Sequence, residues 1–209
     1  MAARRSPFHA FALAAIAALC GFASGTRAAT PTYPQDEIEA AFLYRFAGFV
    51  TWPAASLEKP VFTIAVLDDD AVAGDLERML SQRQLKGRRA RVRRIGSLDQ
   101  LGDAQILFIG PQDPGILRRR LQRLAGRPVL VVTSQPDGLA DGSTINFVLI
   151  RQHVRFEISL AAARRAGLAI SADLLSVATH IEGPVGSDAA CPDPPQVPAA
   201  STCPRLASR

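Results

Sequence analysis

Short apolar runs alternating with helical stretches constrain this chain more than any other feature. Val61 to Leu67, Ile106 to Ile109 and Val129 to Val132 are apolar segments of strand length, too brief to form the buried face of a helix. A fourth run, Arg89 to Ile95, sets Arg against apolar residues in the manner of an edge strand. Helical patterns lie between them, through Leu76, Met79 and Leu80 and from Leu117 to Leu124, with a short turn opened by Ser97 and Asp99. Strands alternating with helices build βα units around a mostly parallel sheet, and right-handed crossovers then place helices on both faces.

The two ends of this pattern differ. Before it, Gln35 to about Phe49 reads as an amphipathic helix: Ile38, Phe42, Leu43 and Phe46 recur at helical spacing, Asp36, Glu37 and Glu39 lie near the positive end of its dipole, and Trp52-Pro53 stops it. After it, Ile145 to Ile150 and Val154 to Ile158 form a hairpin around Arg151-Gln152-His153, followed by a helix from Leu160 to Ala166 broken at Gly167. A last helix, Ala172 to Thr179, takes Ser171 as its N-cap. The expected fold is α/β, a three-layer α/β/α sandwich whose mostly parallel sheet carries an antiparallel edge hairpin.

The first residues specify export. Arg4 and Arg5 precede an apolar run from Phe11 to Ala23, and Thr26-Arg27-Ala28 fits the small-x-small pattern of a cleavage site. That run falls short of the roughly twenty residues a permanent span needs. Cys20 suggests a lipid anchor, but Leu19 beside it is a poor match to the small residue such processing requires. The expected organisation is a signal peptide over residues 1–28, one domain over 29–187 and a Pro/Ala-rich tail over 188–209. Of the formal net charge of +5, Arg4, Arg5 and Arg27 leave with the signal, which weakens the case for a nucleic-acid partner, and none is expected. Cys191 and Cys203 then stay behind as an even pair, expected as a disulfide in an oxidising compartment.

Recognised chemistry is sparse. The sequence holds no HExxH, CxxC, GxSxG or Walker pattern, and His153 and His180 are too far apart to suggest a metal pair, so no metal, cofactor or catalytic residue is expected. Asp68, Asp69 and Asp70 follow the first strand and are read as a turn and helix start. Arg83 to Arg94 holds seven Lys or Arg in twelve positions, read as a solvated edge whose like charges resist edge-to-edge pairing.

Two constellations stand as binding candidates. Arg151, His153 and Arg155 share one face if their segment is extended, and two guanidiniums beside an imidazole suit a small anionic ligand such as a phosphate or carboxylate. A turn near His153 would spoil that alignment, leaving a solvated hairpin tip with Arg155 paired to an acid. On the opening helix Phe42, Phe46 and Phe49 form a stripe expected in the core, while Tyr44 and Trp52 are candidate interface anchors.

The run from Glu39 to Pro53, the strand Phe62 to Leu67, the segments Ile145 to Leu149 and Val154 to Ile158, and the stretches Ala161 to Gly167 and Ile170 to Leu175 resemble, in order and spacing, the YfiR family. That resemblance implies a periplasmic, non-enzymatic regulator, in some members a homodimer. Such a regulator binds the periplasmic region of an inner-membrane diguanylate cyclase and represses it, lowering cyclic di-GMP and restraining biofilm growth. A periplasmic small-molecule binding module without that repressor role is the alternative. Two departures are visible: the in-domain cysteines tied to redox sensing in relatives are missing between Ala29 and Ala190, and Asp68 stands where a Gly is expected after the strand.

Overall fold

A computed structural model describes residues 34–183. The predicted signal peptide and the Cys191–Cys203 pair lie outside the described residues. Helix α1, Gln35–Phe49, begins after Pro34 and carries Asp36 and Glu37 in its first turn, where carboxylates face the positive end of the helix dipole. It runs directly into a two-residue strand, β1 (Val50–Thr51), which pairs with β9 (Ala169–Ile170) and ties the end of α1 to the last third of the chain.

The main sheet has eight strands among the described residues. They are β2 (Val61–Leu67), β3 (Gln84–Leu85), β4 (Arg88–Ile95), β5 (Ile106–Ile109), β6 (Leu130–Thr133), β7 (Ile145–Ile150), β8 (His153–Ser159) and β10 (His180–Glu182). Their spatial order is β10-β8-β7-β6-β5-β2-β4-β3. From β4 to β7 all neighbours are parallel, whereas β7 with β8 and β3 with β4 are antiparallel. The chain steps from β2 to β4 on one side and returns to β5 on the other, the doubly wound arrangement.

Side-chain alternation along the central strands sorts two cores. Phe62, Ile64 and Val66 of β2, Ile106 and Phe108 of β5, and Leu130 and Val132 of β6 pack on one face with α1 and α2 (Asp70–Leu80). Ala65 and Leu67, Leu107 and Ile109, and Val131 pack on the other, against α3 (Pro114–Arg123) and the turn at Leu98 and Leu101. Those are the three layers, and the α/β class predicted from alternation is the one observed. The short helices α4 (Gly138–Asp141), α5 (Leu160–Arg165) and α6 (Ala172–Ser176) complete the set. Helix α6 is shorter than its periodicity suggests, because the chain turns into β10 beside β8.

The turns that follow β2 and β5 pack against each other. Asp69 Oδ1 accepts from Val72 N at 2.9 Å and caps α2. Asp68 takes φ 60°, the left-handed region that glycine enters without penalty. Its carboxylate meets Arg120, which also donates to Gln112 Oε1 at 2.6 Å. Gly110 packs so closely that a Cβ there would lie 2.4 Å from Asp68 O.

Candidate functional site

The antiparallel end of the sheet is built differently. Strand β6 pairs with β7 only at Val132–Ile145 and Thr133–Asn146, and β10 pairs with β8 only at Glu157–Ser159. Residues 147–155 therefore continue past both neighbours as a hairpin arm, at the carboxyl end of the parallel strands. Its turn is the two-residue Arg151-Gln152, with φ 49° and 62°. Consecutive left-handed residues match the twist of a tight hairpin, although neither is the Asn or Gly that such turns favour.

This turn corrects the predicted anion cradle. Arg151 sits in the turn and leaves the strand face, so only His153 and Arg155 alternate along β8, opposite Ile150 and Val148. Both are exposed, while Val154 and Phe156 point into the core. Among the described residues neither Arg151 nor Arg155 forms an ion pair, so the expected partner acid for Arg155 is not engaged. The tip instead exposes apolar surface: Leu149 is 59% and Ile150 41% accessible.

An aromatic cluster holds the arm to α1. Phe46 is fully buried, its ring 5.8 Å from Phe147 and 5.2 Å from Phe156, and Phe42 lies 5.9 and 5.4 Å from the same two rings. Offset and edge-on pairs at these separations add to the burial itself. The stripe is thus core at Phe46, with Phe42 partly buried against it, but Phe49 departs from it at 37% exposure.

Trp52 is not an exposed anchor. It is 3% accessible, edge-on to Phe62 at 5.3 Å, and donates from Nε1 to Gln105 O at 3.0 Å. Gln105 in turn accepts from Thr63 N (2.7 Å) and donates to Ser56 O (2.7 Å) and Asp103 O (3.0 Å), so Trp52 belongs to a closed network at the start of β5. Tyr44 is half-buried with the Arg83 guanidinium 5.4 Å over its ring, which joins α1 to the basic edge. Of the five predicted binding residues, the structure brings together His153 and Arg155, with Arg151 nearby in the turn; Tyr44 and Trp52 lie apart from them.

Sequence reasoning missed Glu39. It lies on α1 with Ala40, Leu43, Phe46 and Ala47 in one buried stripe and is only 2% accessible. Its Oε1 accepts from Gln35 Nε2 and from Ser134 Oγ, each at 2.8 Å. Burial raises its carboxyl above the ordinary range, opposed by those two hydrogen bonds and reinforced by Asp69 and Asp36. Beside it opens a cavity of about 260 Å³, lined by Ser134, Gln135 and Pro136 after β6 and by Phe147, Leu149 and Val154 of the arm. A buried polar cluster lies behind Gln135. The Thr133 hydroxyl donates to Asn146 Oδ1 (2.8 Å) and lies 3.0 Å from Ser143 Oγ, while Gln135 N donates to Asn146 Oδ1 (3.4 Å). Gly138 must be glycine there, since a Cβ would sit 2.4 Å from both Asn146 Oδ1 and Thr133 Oγ1. The helical spacing of 39, 40, 43, 46 and 47 was the signal that could have placed Glu39 on the buried face.

A family model described as DUF4154, YfiR/HmsC-like, matches residues 36–179, from the start of α1 to the approach of β10. The chain belongs to the YfiR/HmsC-like family. No curated protein matches the sequence. Among solved structures, a conserved domain protein of Vibrio cholerae O1 biovar El Tor is 11% identical with a TM-score of 0.45, covering 71% of this chain and 60% of that one. The ABC domain from Streptococcus pneumoniae, crystallised in complex with L-Trp, is 13% identical with a TM-score of 0.41, covering 57% and 55%. The YfiR/HmsC-like chain thus spans less than two thirds of either molecule, and neither bears on its function. Among the described residues no helix is long and apolar enough to cross a membrane, and no group of His, Cys, Asp and Glu is placed to hold a metal ion.

Proposed function

We propose that this YfiR/HmsC-like chain is a non-enzymatic periplasmic regulator. It docks on the periplasmic region of an inner-membrane diguanylate cyclase and holds that enzyme inactive, lowering cyclic di-GMP. Family membership supports the class of function, and the leader at residues 1–28 supports the compartment. The observation that carries the docking surface is the β7–β8 arm, which runs past both neighbouring strands and presents Leu149 and Ile150 beside Arg151, His153 and Arg155. Apolar anchors flanked by arginines that make no ion pair among the described residues suit a partner surface that is apolar at its centre and acidic at its rim.

The test is cyclic di-GMP in a strain deleted for this gene. The intact gene should restore the low level, whereas a gene lacking residues 1–28, or one carrying Leu149→Asp with Ile150→Asp, should not. An unchanged level on deletion, under conditions where the protein is made, would remove the repressor role. Restoration by the double variant would move the contact away from the arm. A periplasmic small-molecule binding module without a repressor role is the second reading, and the cavity at Glu39 favours it.

A further inference from the structure

The cavity beside α1 has chemistry of its own. Glu39 is nearly inaccessible, yet only one of its two carboxylate oxygens is occupied: Oε1 takes both hydrogen bonds, and Oε2 has no protein partner among the described residues. Oε2 is not sealed into the core either, since the one buried side-chain atom left without a partner among the described residues is Asp141 Oδ2. The unpartnered oxygen therefore keeps some accessible surface, on a residue that lines the cavity.

No Lys or Arg lines that space; its other polar residues are Gln35, Ser134 and Gln135. Asp36 and Asp69 add negative potential from outside. A buried carboxylate normally finds a cation or neutralises, because its hydration is lost. The two donors on Oε1 hold the group in one orientation, and the backbone N–H of Gln135, in the wall, donates to Asn146 Oδ1 behind it. The opposite wall is apolar, from Pro136, Phe147, Leu149 and Val154. A volume of about 260 Å³ falls just below the roughly 300 Å³ at which drug-sized pockets begin, so it admits a body of about one ring.

We propose that this cavity is a ligand site for a small primary amine: the ammonium donates to Glu39 Oε2, and a compact apolar body lies against Phe147, Leu149 and Val154. The site differs in both place and charge from the anion cradle predicted at Arg151, His153 and Arg155, and it does not depend on the repressor role. Because Leu149 and Val154 belong to the arm, an occupied cavity would also order the surface proposed for docking.

Phenethylamine is a suitable probe, with 3-phenylpropionate as a control of matching shape and opposite charge. Calorimetric titration of the protein purified from the periplasm should show saturable binding of phenethylamine. Binding should be at least tenfold weaker in Glu39→Gln, and 3-phenylpropionate should not bind. Amide shifts on adding phenethylamine to the wild-type protein should cluster at Ser134, Gln135, Phe147, Leu149 and Val154. This second measurement decides the matter if the variant does not fold. Absence of saturation, equal affinity in a folded Glu39→Gln protein, equal binding of 3-phenylpropionate, or shifts centred elsewhere would each overturn the proposal.

Discussion

The parallel half of the sheet and its hairpin end differ in how far their charges are paired. In the parallel half many of the long cations around the strands are spoken for. Arg94 bridges Asp70 and Glu77 at 2.8 and 2.9 Å, Arg118 reaches the buried Asp141 at 2.9 Å, Arg120 meets Asp68, and Arg123 meets Asp99 at 2.6 Å. At the hairpin end Arg151 and Arg155 make no ion pair among the described residues, and Glu39 is buried without a cation. The strands differ too: Phe62 to Leu67 of β2 and all of β5 are buried, whereas Leu149 and Ile150 of β7 are exposed. Asp141 Oδ2 aside, the parallel half keeps its buried polar side chains paired among the described residues. The other leaves local demands unmet, which is where binding is expected to reside.

That contrast can be broken by experiment. The largest effect is expected from Phe46→Ala, which empties the aromatic cluster on which the arm rests. A loss of about 3–5 kcal/mol in urea unfolding is the ordinary cost of such a truncation, and a much smaller loss would mean that the arm is held by other contacts. Trp52→Phe keeps most of the ring but removes the donor to Gln105 O, so about 1–2 kcal/mol should be lost in the same measurement. An unchanged midpoint would place that network outside the cooperative core.

Smaller again is the effect of Glu39→Gln, and its sign is opposite. Burial holds the folded-state carboxyl above its ordinary value of 4.5, so the folded protein binds this proton more tightly than the unfolded chain does. The wild type therefore loses stability as pH rises from 4.5 through the raised value and carries the full cost above it. Glu39→Gln should unfold at a higher temperature than wild type near pH 7, with the gap closing below pH 4.5. A gap independent of pH would show that the gain does not come from the charge. Least of all, Leu149→Ser should leave stability within about 0.5 kcal/mol, as for other exposed positions, while impairing repression in cells. A large loss of stability would mean that the arm tip is structural.

Much of the framework was legible because it follows from local periodicity. Helix α1 and strands β2, β5 and β7 occupy nearly the predicted spans, and Asp69 and Ser171 cap helices as their side chains suggest. Strands β1, β9 and β10 were not legible: they are two or three residues long, and pairing alone defines them. The Arg151-Gln152 turn was hidden for another reason, since neither residue advertises a left-handed backbone. Trp52 was misplaced because an amphipathic ring gives no sign of which end meets water, and here its N–H is satisfied inside.

By itself, then, the sequence determined the α/β class, the order of the longer strands and helices, and the family, because each is written in nearest-neighbour chemistry or in linear spacing. Only the tertiary structure decided what the residues at the hairpin end do. An acid in the first turns of a helix is usually solvated, and Glu39 became a buried carboxylate only when Ser134, ninety-five residues along the chain, closed over it. Likewise, nothing within β7 or β8 states that their neighbours stop short. The arm and its cavity exist because β6 and β10 pair with only the near ends of these strands, and such pairing depends on long-range registers.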